Sequence, residues 1–479
     1  MDSEFLQGCY GIGHTPAGSW GQTRARGEHN AKFFASTDNA SSFQYKLLWD
    51  PEKDSRDSTA TSGFDRRSTL TASLVSVFYG SVFPSHPFII PEKLYQKNPS
   101  LLPDHLIAAM CILGSSLVPA PFVTREVAES FQATAAQASL ACVPDDGFKV
   151  QSLMLLALSE YANNNRALAC RRLDLAIDLA LLTGMNRRPS ATAPDRETPA
   201  ILDEMWNRTW WELYFIAGLF SASGSTGSWM RMSLAPVDRP LPGHCREYME
   251  CFAPKHAPSE LRFYRRRPPK RHYWSTFAFR VASIHLMGQV LEWQSPTRVL
   301  SPPLASQAVE EMNLLVSCMK LSGNEVVKSD GRIDEQLFST SMILHLTRIL
   351  LDWPEAGGIL RKFPHLTDIG PDFMTTAFCP NEESISAAHG IINLVPLDLK
   401  LYRRTPCFGL ALGMAAILYG VKYAQALTAT QSQNARSALR LAVSALRYLG
   451  EAHQLPRILA TRVEELTKKR PGDERYQLI

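Results

Sequence analysis

Three short stretches gather residue types that could do chemistry. HCREYMECFAPKH brings His244, Cys245, Cys251 and His256 within 13 residues, four nitrogen or sulfur donors of the kind that hold zinc. A zinc site needs its donors to converge on one tetrahedron. Five residues between the cysteines, with prolines around them, do not arrange that, so no metal is expected. LRFYRRRPPKRHYW, from Leu261 to Trp274, packs Arg262, Arg265, Arg266, Arg267, Lys270 and Arg271 between aromatic side chains. That density suits a nuclear import signal or a phosphate-contacting loop; the plainer alternative is a solvated loop tethered to acidic neighbours. Asp145-Asp146 could open an acidic metal motif, but no further carboxylates follow at one-turn spacing. Beside Pro144 and Gly147 it reads as a turn or helix cap.

Enzyme signatures do not appear. There is no G-x-S-x-G elbow, no phosphate loop ending in Gly-Lys, no H-E-x-x-H and no G-x-G-x-x-G between a strand and a helix. GCYGIG at 8–13 has neither the lysine nor the strand–helix context. No catalytic residue and no cofactor are expected, and the chain is not expected to be an enzyme. The formal charge of +4 over 479 residues is too small for a general nucleic-acid polyelectrolyte, so any basic surface must be local. The nine cysteines are odd in number and widely spaced, which fits reduced thiols rather than a disulfide framework.

The elements that would carry these residues read as helices. Residues 1–66 are rich in Gly, Ser, Thr, Asp and Arg and are expected to be a mostly disordered tail. LTASLVSVFYG then places Leu70, Leu74, Val77 and Phe78 on one face, and Pro84 and Pro87 end the run. Further helices are expected at 104–114, after Thr124 as N-cap, and in a pair either side of the Asn163–Asn165 turn. In the second of that pair, Leu168, Leu175, Leu179 and Leu182 recur at helical spacing and Gly184 follows as a C-terminal cap. After a break at about 221–273, helical patterns resume at 275–294, 304–321, 333–353, 383–402, 406–427 and 435–469. Strand signals are scarce. The expected fold is all-α, a large array of packed helical hairpins. Its expected divisions are a tail (1–66), a helical domain (67–250), a basic loop (251–274) and a C-terminal helical part (275–479).

EMWNRTWWELYFIAGLFSASGS, starting at Glu204, has three tryptophans in six residues and then an apolar run. A helix apolar nearly all round is a buried one. Each indole could remove roughly 150–250 Å² from water, so Trp206, Trp210 and Trp211 are expected in the core with Leu175 and Leu179, and Arg208 is expected as a polar tether. The run from Trp210 to Ala222 and CFGLALGMAAILYGV (407–421) both fall short of the ~18–20 residues of a membrane span, and no membrane is expected.

Read in order, FYGSVFPSHPFI, VQSLMLLALSEYANNNRALACRRLDLAIDLALLTGMNR, the tryptophan stretch and LAPVDRPLP resemble the middle homology region of fungal binuclear zinc-cluster transcription factors, over about Leu70 to Pro242. That family has an aromatic helix ending near Pro-Phe or Pro-Ile, a Q-x-L-x-L-L helix, an A-x-x-L-A helix closing on Gly-Leu-His-Arg, an Arg-Arg-x-x-Trp-Trp helix and an Asp-x-x-x-Pro tail. Here Asn186 replaces the His, Arg208 is one of the two usual arginines, and Ala217 replaces an Asp. The family's six-cysteine finger opens with Cys-x2-Cys, whereas this sequence has only Cys9 before Cys111, so the finger is expected to be missing. The resemblance implies a nuclear regulator of a metabolic or secondary-metabolite gene set. It would act through self-association, other transcription factors or a small-molecule effector, with DNA contact indirect. The alternative is a helical ligand-binding protein or enzyme with a pocket between helices.

Overall fold

The computed structural model describes residues 64–118, 122–141, 143–188, 200–222, 226–252, 274–294, 301–321, 323–353, 355–362, 372–397 and 405–468. All of them fall in one unit, 51–479. They form 18 α-helices, with one isolated bridge, Val327 to Ile333, and no sheet among the described residues. The first eight helices are α1 (Thr69–Ser81), α2 (Glu92–Lys97), α3 (Asp104–Ser115), α4 (Arg125–Ala136), α5 (Gly147–Ala162), α6 (Arg166–Leu182), α7 (Ala200–Ala222) and α8 (Thr226–Leu234). The short α9 (Cys245–Met249) precedes α10 (Thr276–Trp293), α11 (Pro302–Leu321), α12 (Glu335–Asp352), α13 (Ala356–Lys362) and α14 (Phe373–Thr376). The last four are α15 (Glu382–Asn393), α16 (Cys407–Ala424), α17 (Ala429–Leu449) and α18 (Gln454–Lys468).

Local chemistry sets the boundaries. Asp146 caps α5 by accepting from Lys149 N at 2.9 Å, while Asp145 pairs with Lys149 Nζ at 2.8 Å, so the acidic pair is a helix start. Ser68 and Thr124 cap α1 and α4 in the same way. The turn between α5 and α6 holds Asn164 at φ 61°, and Gly184 at φ 69° closes α6. The expected helix at 435–469 is two, because the chain turns at Gly450–His453 before α18 begins.

One assignment to the core is corrected. Leu175 is 49% exposed and Leu182 70%. The buried stripe of α6 is instead Ala169, Leu173, Ala176, Ile177 and Ala180, joined by Leu179. Leucines lie on both sides of this helix, and small alanines let α6 approach α5 closely, so the bulkier face was left outside.

Consecutive helices pair as hairpins, α5 with α6 and α16 with α17, and α18 then packs on α16, α17 and α5. The tryptophan helix α7 is about 34 Å long. It is buried from Glu204 to Ala222, with α5, α6, α8, α10 and α13 against it. α16 spans 18 residues and is long and apolar enough to cross a membrane, but 89% of it is buried inside the protein, against α15, α17 and α18.

Candidate functional site: a buried polar seam

The connector between α1 and α2, SHPFIIP from Ser85 to Pro91, is wholly buried yet is neither helix nor strand. Its backbone carbonyls therefore need donors from elsewhere. They receive them from side chains on five helices. Gln336 of α12 donates to Ser85 O at 3.4 Å and to Pro84 O, just ahead of the connector, at 2.8 Å, Gln151 of α5 to Phe88 O at 2.9 Å, and Thr209 of α7 to the same oxygen at 3.2 Å. Tyr248 of α9 donates to Ile89 O at 2.8 Å, and Tyr79 of α1 to Ile90 O at 3.1 Å. Burial raises the pKa of both tyrosine hydroxyls, so they remain protonated donors.

A second connector, Pro236–Gly243, is held by the same logic. Trp211 Nε1 donates to Pro240 O at 2.6 Å and Arg208 Nη2 to Gly243 O at 2.8 Å, while Ser275 Oγ donates to Pro242 O at 2.6 Å. Asn186 donates to Pro236 O and Arg239 to Met185 O, each at 2.8 Å, so the loop after α6 and the loop after α8 clasp one another.

Two buried ion pairs anchor the seam. Arg208 is 0% exposed; its Nε donates to Glu204 Oε1 at 2.8 Å, and its guanidinium lies 4.2 Å from the Tyr248 ring centroid. Burial opposes this charge, but neighbouring Cys245 and Glu204 outweigh it and raise the pKa. The second pair is Glu212 with Arg280 of α10. Both carboxylate oxygens accept from the guanidinium at 2.8 Å, and Oε1 also accepts from His86 Nδ1 at 2.7 Å. Burial tends to raise the Glu212 pKa, but Arg280 and His86 overcome it and hold it below the usual carboxylate value. Arg280 lies 3.4 Å above the Phe215 ring and donates to Gln336 Oε1 at 2.9 Å, linking the pair to the first connector.

The sequence-derived residues fall as follows. Trp206, Trp210 and Trp211 are 4%, 0% and 2% exposed and Leu179 is 7%, all core, whereas Leu175 is not. Arg208 is a tether, and its carboxylate is Glu204, one turn earlier on its own helix. Arg262, Arg265, Arg266, Arg267, Lys270 and Arg271 lie outside the described residues, as does His256. Cys245 faces Arg208 at 3.4 Å, with its thiol pKa raised by burial, and no group of three metal-binding side chains occurs among the described residues. Glu212, Arg280, His86 and Gln336 were missed. Glu212 stood in the sequence as a mere interruption of an apolar run, and that interruption was the available signal.

Most donors and charges of the seam are spent on one another and on backbone, while His86 Nε2 and Arg280 Nε are buried with no hydrogen-bond partner among the described residues. A cavity of about 20 Å³, between His86, Ser85, Leu113, Leu158, Thr405 and His453, has room for a single water.

Residues 77–226 match the family model described as fungal specific transcription factor domain. The chain is also similar to a C6 finger domain transcription factor, iacK, of Pestalotiopsis fici. The two are 24% identical over 397 residues, 80% of this chain and 57% of that protein. The chain therefore spans under two thirds of the length of that relative. No solved structure matches. The matched residues run from α1 through α7 and supply the first connector, Gln151, Arg208, Thr209 and Glu212.

Proposed function

We propose that this chain is the regulatory part of a fungal transcriptional regulator. It works in the nucleus, without catalysis, on a metabolic or secondary-metabolite gene set. One observation carries the reading: the family match falls on the helices whose polar side chains pin the two connectors. Within these 479 residues no two cysteines stand at the Cys-x2-Cys spacing that opens a six-thiolate cluster. DNA is reached through a partner polypeptide, and the helical surface makes that contact. The cavity beside His86 has room for a water and not for a metabolite, so it does not itself favour the ligand-binding alternative.

The test is a reporter. Fusing residues 1–479 to an unrelated DNA-binding domain is expected to raise or lower transcription from its cognate site, and the tagged chain is expected in nuclei. Unchanged output in both activation and repression assays would overturn the reading.

A further inference from the structure

Eleven large apolar side chains stand exposed among the described residues, and four of them sit on two adjacent helices. Leu175 and Leu182 belong to α6, at 49% and 70%; Met230 and Leu234 belong to α8, at 53% and 76%. Ser228 donates to Asp174 at 2.7 Å, and Arg231 pairs with both Asp174 and Asp178, so α8 runs alongside α6 in the same direction. Leu234, one turn beyond Arg231, is therefore level with the Leu182 end of α6.

The exposed stripe of α6 reads Ala167, Arg171, Leu175, Asp178, Leu182. At 100° per residue these five positions fall within a sector of about 80°. The stripe is complementary to its own reverse. Turned end for end about the midpoint of Asp174 and Leu175, it sets Arg171 against Asp178 and Ala167 against Leu182, and brings Leu175 within one residue of its own counterpart. Charge meets opposite charge and a small side chain meets a large one, which is the requirement of an isologous twofold contact. Asp178 is engaged by Arg231 but remains 65% exposed, so its carboxylate can accept from a second guanidinium.

We infer that two copies of this chain associate through antiparallel packing of α6 on α6, with Arg171 of each paired to Asp178 of the other and the Leu182–Leu234 end closing over the partner's Ala167. The inference rests on the regulatory reading for its meaning, because it adds to that reading a self-association on a named face. One helix pair flanked by α8 is a small contact, so micromolar, salt-sensitive association is expected.

The test is sedimentation of the full chain across concentration at low salt. The wild type is expected to pass from monomer to dimer. Arg171→Glu or Asp178→Arg alone replaces both attractive pairs by repulsive ones and is expected to weaken the dimer by roughly tenfold or more. An equimolar mixture of the two variants restores both pairs and is expected to dimerise. Leu175→Glu alters an exposed side chain and is expected to abolish the dimer with the circular dichroism unchanged; it serves if Asp178→Arg, which also loses Arg231, fails to fold. A wild type that stays monomeric, including one that associates only with a different protein, overturns the inference. So does a dimer that survives Leu175→Glu, or a mixture of folded variants that stays apart. A monomeric wild type that still drives the reporter sinks the dimer alone; a sound dimer with a silent reporter sinks the regulatory reading alone.

Discussion

α7 and α16 are both sealed from solvent along nearly their whole length, yet they are built from different material. α16 carries one charged side chain, Lys422 in its last turn, and is otherwise apolar or small. α7 buries Glu204, Asn207, Arg208, Thr209 and Glu212 among its aromatics. Apolar area stabilises α16 without dictating which neighbour it meets. The polar groups of α7 are costly to bury and are tolerated only in one arrangement, because Glu204, Arg208, Thr209 and Glu212 each find a partner on a particular loop or helix. The contrast separates two jobs: α16 supplies burial, and α7 decides where the irregular connectors run.

Shape-conserving substitutions should expose that difference most strongly. Glu212→Gln keeps the volume but leaves the Arg280 guanidinium buried without its counter-charge, and should cost roughly 3–5 kcal/mol. Leu412→Met on α16 should cost about 1 kcal/mol or less. Denaturant midpoints measure both, and equal losses would erase the distinction.

Acid should act on the polar side next. His105 of α3 bonds Ser152 of α5 at 2.7 Å, and burial lowers its pKa from 6.5 to about 4. Between those values the unfolded chain binds a proton that the folded chain refuses, so the contribution is complete above pH 6.5 and is lost as pH falls through 4. The loss is roughly 3 kcal/mol. Glu212, with its lowered pKa, adds to the loss in more acidic solution. His105→Gln should flatten the decline between pH 6.5 and 4 in unfolding titrations; an unchanged slope would place the acid sensitivity elsewhere.

The smallest effect lies within α7 itself. Trp211→Phe removes the donor to Pro240 O, whereas Trp210 Nε1 is buried with no hydrogen-bond partner among the described residues. Both changes lose a similar volume, so Trp211→Phe should be the more destabilising by about 1 kcal/mol in the same unfolding measurement. The reverse order would mean that the connector bond contributes nothing.

Much of the helical plan was legible, because caps and periodicity are local. Thr124, Asp146, the Asn163–Asn165 turn and Gly184 all act where the sequence placed them. The face of α6 was not legible: Leu168, Leu175 and Leu182 repeat as regularly as Leu173, Ile177 and Ala180, and only the presence of α5 decides between the two sets. The ion pair of Glu212 with Arg280 was equally hidden, since 68 residues separate its members and neither announces the other. Arg208 was recognisable as a tether from its setting among tryptophans, but its partner Glu204 was not, since the sequence marks it only as the start of that stretch.

The threaded connector at Ser85–Pro91 has a consequence for biosynthesis. Its first donor, Tyr79, is already made when it appears, but Gln151, Thr209, Tyr248 and Gln336 follow 63, 121, 159 and 252 residues behind the carbonyls they serve. At about 5–20 residues per second, Pro84 waits roughly 13–50 s on the ribosome before Gln336 has been added. During that interval the phenylalanine and isoleucines of the connector have no finished interior to enter. Until its C-terminal half has emerged, a nascent chain of this design carries that apolar stretch as an aggregation-prone surface.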